Sequence, residues 1–258
     1  MNRQELPIAV IDSGVGGISV LRDLLRILPN ESFIYYGDSK NAPYGSKEKD
    51  EVLAITKNNL ELLEKIGIKA LVVACNTATS VAVRILREEH PELIIVGIEP
   101  AIKPPTDRFD HPRVLVMATP LTLKEEKFKR LVDRYSDREE IIPLPCPRLA
   151  ELIEEGKTEG DEIDAYVASL LEPYRDKGID ALVLGCTHYP HVREIIERHI
   201  SKDTEIFDGG EGTARETRRR LEVAGLLNPR EAGGTVEILN SANDQRMIEL
   251  SQRLLFKK

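Results

Sequence analysis

Residues 67–75 read Gly-Ile-Lys-Ala-Leu-Val-Val-Ala-Cys, and residues 178–186 read Gly-Ile-Asp-Ala-Leu-Val-Leu-Gly-Cys. Six of the nine positions are identical, including the final cysteine. Chance similarity is the alternative explanation, because buried strands are all rich in Val, Ile and Leu. However, the order of the elements around the two segments repeats as well. The chain is therefore predicted to contain two copies of one α/β unit.

Short apolar runs alternate with helical patterns along the chain. Continuously apolar strands separated by helices are typical of parallel sheets that are covered on both faces. The predicted strands are 8–11, 33–36, 70–74, 94–98, 114–117, 141–144, 181–184, 205–207 and 235–239. The predicted helices are 17–27, 48–66, 80–89, 124–135, 163–177, 191–200 and 244–255. The fold class is therefore α/β, with two pseudo-symmetric domains, each a mainly parallel sheet flanked by helices.

The end of the chain carries one more strand and helix than the repeat accounts for. We expect it to return and pack on the first half, which gives an N-terminal domain of residues 1–103 plus 213–258. The second domain is then 104–212. Residues 102–112 contain three prolines and are the predicted crossover between the halves.

The composition excludes several classes of protein. The net charge is −8 over 258 residues, whereas a nucleic-acid-binding face normally shows as a basic excess. No apolar run approaches the roughly 20 residues that cross a bilayer, and the polar residues 1–7 do not predict a signal peptide. Three cysteines without close spacing do not form a disulfide framework. We therefore expect a cytoplasmic protein that binds neither nucleic acid nor membranes.

Both repeated cysteines stand where a strand gives way to a predicted helix. Ligands of open α/β sheets bind at the carboxyl ends of the strands. The unpaired N–H groups at a helix N-terminus stabilise a thiolate, so the pKa of Cys75 and of Cys186 is expected to fall from about 8.5 toward neutrality. Asn76, Thr77 and Thr187 are good capping residues. The same N–H groups would bind a substrate carboxylate.

Two equivalent thiols suit one particular reaction. Inverting an α-carbon requires a group that removes its proton on one face and a group that returns a proton on the other. Two homologous domains that meet with their strand ends together would place Cys75 and Cys186 on opposite sides of a cleft. Cys146 has no such partner and is interpreted as a buried small hydrophobic residue.

A glycine-rich turn, Asp12-Ser13-Gly14-Val15-Gly16-Gly17, follows the first strand. It places Asp12 at a strand tip and offers backbone N–H groups. Alternatively, it is a nucleotide-type loop or a simple tight turn. It lacks the Gly-Lys-Ser/Thr of a P-loop, and Ser19 stands where a dinucleotide motif has its third glycine. Asp38 follows the second strand, at the position where a dinucleotide-binding fold has the acidic residue that binds the ribose.

His188 follows Cys186 by two residues. The pair could be metal ligands, but no second pair has zinc-like spacing, so a supporting acid or hydrogen-bond donor is the preferred role. Tyr44 lies in a predicted turn, where it either lines a cleft or caps the loop.

Together, residues 12–17, 43–45, 75–78 and 186–190 resemble the motifs of the glutamate racemase family in order and approximate spacing. The resemblance extends from about residue 7 to at least residue 227. It implies two pseudo-symmetric α/β domains with the active site between them, and a homodimer. It also implies racemisation of glutamate by two bases without cofactor or metal, which supplies D-glutamate for peptidoglycan.

Carried over residue by residue, the resemblance makes Cys75 and Cys186 the two bases. Asp12 supports the first, and His188 and Glu154 support the second. Glu151 stands where a proline is common in the family, so the roles of Glu151 and Glu154 are not separated at this point. The implied substrate-binding residues are Asp12, Ser13, Tyr44, Gly45, Asn76, Thr77, Thr119, Thr122, Thr187 and His188.

Other functions fit parts of the pattern. A two-cysteine racemase acting on aspartate or a hydantoin would share the mechanism. A binding protein for an acidic metabolite would use the same cleft without turnover. A dinucleotide-dependent oxidoreductase would need Asp38. A thiol–disulfide protein is the weakest alternative, because Cys-x-x-Cys is lacking.

Overall fold

Two separate sheets, each entirely parallel, form the centre of the molecule. The computed structural model describes residues 2–231 and 233–256; Met1, Ala232, Lys257 and Lys258, which include both ends of the predicted first domain, lie outside the described residues. The strands are β1 Ile8–Asp12, β2 Phe33–Gly37, β3 Ala70–Val73, β4 Ile94–Gly97, β5 Arg113–Ala118, β6 Glu140–Pro145, β7 Ala181–Leu184, β8 Glu205–Asp208 and β9 Val236–Asn240.

The order of the strands confirms the internal repeat. The first sheet has the order β4-β3-β1-β2-β9, and the second, read from the equivalent edge, has the order β8-β7-β5-β6. The strands that carry the repeated segments, β3 and β7, therefore hold the same place in the two sheets. The first sheet differs only by β9, which extends it beyond β2.

Burial explains why the strands read as continuous apolar runs. All residues of β1, β3 and β7 are buried, because helices cover both faces of each sheet. The helices are α1 Ile18–Ile27, α2 Lys49–Ile66, α3 Asn76–Glu89, α4 Lys103–Arg108, α5 Pro120–Lys124, α6 Glu126–Tyr135, α7 Leu149–Glu154, α8 Asp161–Leu171, α9 Arg193–His199, α10 Gly210–Val223 and α11 Gln245–Phe256.

Four helices, α4, α5, α7 and α10, were not predicted, and three of the predicted helices begin or end at other residues for physical reasons. α3 begins at Asn76 rather than at residue 80. The sequence did not indicate this start, because the first turn of the helix is fully buried and its polar and apolar positions do not alternate. α8 ends at Leu171 instead of 177, where Pro173 forces a change to a 3-10 turn. α9 begins at Arg193, after a 3-10 turn that contains Pro190.

The end of the chain returns to the first sheet. α10 packs against α1 and β4, and α11 packs against α1 and β9. The predicted domain boundaries fall inside α4 and α10, whose bounds are given above. None of the helices in the described part of the chain has both the length and the apolar character that a bilayer crossing needs.

Candidate active site

The carboxyl ends of both sheets line one cavity. Its walls carry both repeated cysteines, and its free volume of about 20 Å³ holds little more than one water molecule. The lining residues are Ser13, Pro43, Tyr44, Gly45, Ser46, Cys75, Asn76, Thr77, Thr119, Pro120, Cys146, Pro147, Ala150, Glu151, Cys186 and His188. Most of the residues selected from the sequence therefore meet in one place.

Cys75 lies at the N-cap of α3. Its Sγ accepts a hydrogen bond from the N–H of Ala78 at 3.4 Å and lies 3.9 Å from Oγ of Ser13. Burial and the nearby Asp12 carboxylate raise the pKa of the Cys75 thiol well above its ordinary value. The expected fall toward neutrality is therefore wrong for Cys75, because burial outweighs the effect of the helix N-terminus.

Cys186 has different surroundings. It follows β7, but the next 3-10 turn begins only at Tyr189 and α9 at Arg193, so the prediction that Cys186 starts a helix is wrong. Its Sγ instead lies 3.6 Å from Nδ1 of His188. The two equivalent cysteines thus have different neighbours: a helix end for one, and an imidazole for the other.

His188 is held by a carboxylate from α7. Its Nε2 lies 2.6 Å from Oε1 of Glu154, which also accepts the N–H of Val15 at 2.7 Å. Burial would lower the pKa of His188, but its hydrogen bonds with Cys186 and Glu154 outweigh burial and hold that pKa well above its ordinary value. The raised pKa favours the imidazolium form of His188, which is the form that can donate a proton or stabilise negative charge at the Cys186 sulfur. Glu154, rather than Glu151, makes this contact.

Asp12 joins the two halves of the molecule. One carboxylate oxygen accepts the N–H of Gly14 at 3.0 Å, and the other accepts the hydroxyl of Thr187 at 3.0 Å. Burial raises the pKa of Asp12 above its ordinary value, although the charge of His188 opposes that rise. Thr187, an implied substrate-binding residue, thus has its hydroxyl bonded to Asp12.

Three threonines form a second bridge. The hydroxyl oxygens of Thr77, Thr119 and Thr122 lie 2.9–3.1 Å apart in a closed triangle. Thr119 also caps α5, since its Oγ1 accepts the N–H of Thr122. A Cβ at Gly45 would lie 2.8 Å from Cβ of Thr119, so only glycine allows the first half to approach this closely.

Tyr44 lines the cavity, but its hydroxyl is occupied elsewhere. The hydroxyl donates to Oδ2 of Asp38 at 2.5 Å, and Nδ2 of Asn59 donates to the same carboxylate oxygen at 3.2 Å. Asp38 is fully buried. It is therefore a structural acceptor and not an exposed ribose-binding acid, which removes the main support for a dinucleotide-dependent enzyme.

Asn76 has the least satisfied side chain of the cavity. It is 4% exposed, and neither its Nδ2 nor its Oδ1 has a hydrogen-bond partner among the described residues. A buried amide without partners costs free energy of about 1–3 kcal/mol. The amide offers one donor group and one acceptor to a ligand in the cavity.

Cys146 and the backbone of Val15 belong to the site but were not selected from the sequence as site residues. Cys146 is buried beside the cavity rather than in a remote core, and Val15 contributes its backbone N–H to Glu154. The glycine-rich turn in the sequence indicated a functional segment that includes Val15, whereas no sequence motif marked Cys146 as a residue of the site. Within residues 2–231 and 233–256, no group of three or more His, Cys, Asp or Glu side chains is arranged to hold a metal ion.

Comparison with known proteins identifies the family. The model of the family "Asp/Glu/Hydantoin racemase" matches residues 8–217. A glutamate racemase of Clostridium botulinum is 46% identical over 255 residues, which cover 99% of each chain. The structure of the Francisella tularensis glutamate racemase with D-glutamate has a TM-score of 0.85 and 27% identity, and covers 99% of this chain and 95% of that one.

The structure of the Escherichia coli glutamate racemase with L-glutamate and the activator UDP-MurNAc-ala has a TM-score of 0.84 and 28% identity. It covers 96% of this chain and 95% of that chain. The similarity extends over both sheets and confirms the α/β fold class that the sequence predicted. The chain belongs to the Asp/Glu/hydantoin racemase family, within which it is similar over its full length to glutamate racemases.

Proposed function

We propose that this protein interconverts L- and D-glutamate, with Cys75 and Cys186 as the two bases. The observation that carries the proposal is that both thiols line one cavity, each from the equivalent strand end of a repeated sheet. Because β3 and β7 are equivalent, their cysteines approach a molecule in the cavity from opposite halves. Relatives crystallised with D-glutamate and with L-glutamate support the choice of substrate.

Each turnover moves two protons. One cysteine, as thiolate, takes the Cα proton, and the C–H electron pair stays at Cα as a carbanion beside the substrate carboxylate. The opposite cysteine, as thiol, then gives its proton to the other face of Cα. The roles are exchanged in the reverse direction. No other atom is gained or lost.

The two cysteines are activated differently. The substrate's ammonium group, bound near Asp12, adds the positive charge that opposes the raised pKa of Cys75. Cys186 has the imidazolium of His188, whose charge depends on Glu154. We therefore propose that Asp12 acts in the first half-reaction and the His188–Glu154 pair in the second.

The unpaired Asn76 amide is the clearest substrate contact that we propose. Ser13 and Thr77, together with the N–H groups at the start of α3, complete a polar wall suited to carboxylates. Glutamate is larger than a cavity of about 20 Å³. We therefore propose that residues 1–103 plus 213–258 and residues 104–212 act as two domains that separate to admit it.

The biological role follows from the product and the chemistry. We propose that the enzyme supplies D-glutamate for peptidoglycan and acts as a homodimer in the cytoplasm, where the thiols that it needs stay reduced.

The test is incubation with L-glutamate in D₂O, in the absence of cofactor and with EDTA, while chirality and deuterium at Cα are followed together. Inversion with deuterium at Cα is expected for glutamate, and L-aspartate in parallel tests the rival substrate. Cys75→Ala and Cys186→Ala should each abolish inversion in a folded protein. Binding of glutamate without exchange at Cα would contradict the proposal and favour a binding protein.

A further inference from the structure

The glycine turn contacts the His188–Glu154 pair through its backbone. The Val15 N–H donates to Glu154 at 2.7 Å. A methyl group at Gly14 would collide with the Glu154 carboxylate, and one at Gly16 would collide with the imidazole of His188. The position of this turn therefore determines where the carboxylate and the imidazole can lie.

A second histidine, His191, holds the turn from the other side. Its Nε2 lies 3.1 Å from the carbonyl oxygen of Gly16, across 175 positions of the chain. His191 follows His188 by three residues, and its backbone N–H donates to the His188 carbonyl at 3.0 Å. His191 thus fastens the segment that carries His188 to the turn against which His188 packs.

His191 donates as a neutral ring. Burial, together with the positive charges of His188 and Arg22, lowers its pKa to about 3. A neutral imidazole has one N–H. Because a carbonyl oxygen can only accept, the proton of the His191 ring must be on Nε2, which faces the Gly16 carbonyl. Ser19 reinforces the contact, because its Oγ lies 2.9 Å from the carbonyl oxygens of both Gly16 and Thr187.

We propose that His191, assisted by Ser19, is a positioning residue for the Cys186 half-reaction. It holds the Gly16 carbonyl so that the glycine turn presents the Val15 N–H to Glu154 and supports the ring of His188. This inference rests on the two-cysteine function proposed above. Its specific consequence is asymmetry. The polar contacts of the Cys75 sulfur are with Ser13, at the start of the turn, and with the N–H of Ala78. The later residues of the turn, which His191 holds, face Glu154 and His188.

The experiment uses the two threo enantiomers of 3-chloroglutamate, which differ in the face of Cα that carries the proton. Elimination of chloride from either enantiomer needs only one base. The thiolate takes the Cα proton, the electron pair forms the Cα=Cβ bond, and chloride leaves. Cys75→Ala and Cys186→Ala first establish which enantiomer depends on which thiol. His191→Leu fills a similar volume but has no hydrogen-bond donor, whereas His191→Gln keeps an amide N–H near the position of Nε2. His199→Leu is the control, because His199 bonds Asp164 away from the cavity.

His191→Leu is expected to slow elimination from the Cys186-dependent enantiomer about tenfold or more, and to leave the other enantiomer within about twofold. His191→Gln should recover most of the rate, and Ser19→Ala should show a smaller loss with the same asymmetry. Thermal unfolding of each variant shows whether it is folded.

Equal loss with both enantiomers, or no loss with either, would overturn the proposal for His191 and leave the two-cysteine function intact. If Cys186→Ala eliminates chloride from both enantiomers at the unmodified rate, the two-cysteine function itself fails.

Discussion

Nε2 of His188 lies 2.6 Å from Oε1 of Glu154, although the two residues are 34 positions apart in the chain. The same oxygen accepts the N–H of Val15 from the other half of the molecule. Three separate segments therefore converge on one carboxylate oxygen. The charge of His188, and with it the environment of Cys186, depends on this convergence.

Removal of the carboxylate charge should change the pH dependence of racemisation. The hydrogen bonds to Cys186 and Glu154 overcome burial and raise the pKa of His188, so an activity that needs the imidazolium is present below that pKa and is lost as pH rises through it. Glu154→Gln weakens one of these contacts. We expect kcat to fall about 10- to 100-fold and the alkaline loss to begin at lower pH.

The measurement is kcat against pH for both directions. Glu155→Gln is the matched control, since Glu155 follows directly in the chain and pairs with Lys157 at the surface. An unchanged alkaline limb in Glu154→Gln would show that His188 is not the titrating group.

A methyl group in the glycine turn should inactivate the protein more than it unfolds it. Gly16→Ala would force its Cβ into the His188 ring. We expect kcat/KM to fall by about two orders of magnitude. Gly212→Ala is the control: a Cβ there meets nothing within 4 Å inside α10, so it should stabilise the fold by about 0.5–1 kcal/mol. Kinetics and urea unfolding of both variants test this, and an active Gly16→Ala would contradict it.

The buried ion pair between Lys69 and Glu31 should matter for stability alone. Its nitrogen and oxygen lie 2.5 Å apart, with side chains 0% and 2% exposed, and Lys69 also donates to the carbonyls of Gln4 and Leu226. Lys69→Met leaves a buried carboxylate without its cation, which should cost about 3–5 kcal/mol of unfolding free energy.

Lys57→Met removes the half-exposed ion pair with Glu89 and should cost about 1 kcal/mol or less. Urea unfolding compares the two variants. Equal losses from both would show that burial of the Lys69 pair contributes nothing extra.

Asn76 should show opposite effects on stability and activity. Its amide has no partner among the described residues, so Asn76→Ala should raise the free energy of unfolding by about 1 kcal/mol. At the same time KM for glutamate should rise, because the proposed substrate contact is lost. Saturating glutamate should then stabilise the variant less than the unmodified protein in thermal unfolding. A variant with unchanged KM would exclude Asn76 from substrate binding.

The sequence predicted the features that depend on local patterns. Apolar runs located all nine described strands to within one or two residues, and the repeat placed Cys75 and Cys186 at equivalent strand ends. The start of α3 was missed because its first turn is buried on all sides, so polar and apolar positions do not alternate.

The electrostatics of the cysteines could not be predicted in the same way. A strand end followed by polar residues indicated a helix N-terminus at both cysteines. After Cys186, however, a 3-10 turn that contains Pro190 precedes α9, and the neighbour of the Cys186 sulfur is the His188 ring. Burial depth decides the pKa of Cys75, and burial is a property of the packed halves. The contact between Glu154 and Val15 is likewise non-local.

The two sheets share a strand order but end differently beyond β2 and β6. Beyond β2, the first sheet adds β9, whereas the equivalent β6 stays uncovered and carries Pro143 and Pro145, which lack the N–H that an added strand would need. At the opposite edges an arginine binds the equivalent carbonyl in each: Arg87 binds that of Ile95 in β4, and Arg193 binds that of Ile206 in β8. The edges formed by β4, β6 and β8 are therefore poor templates for strand addition, so these edges resist the edge-to-edge aggregation to which open sheets are prone.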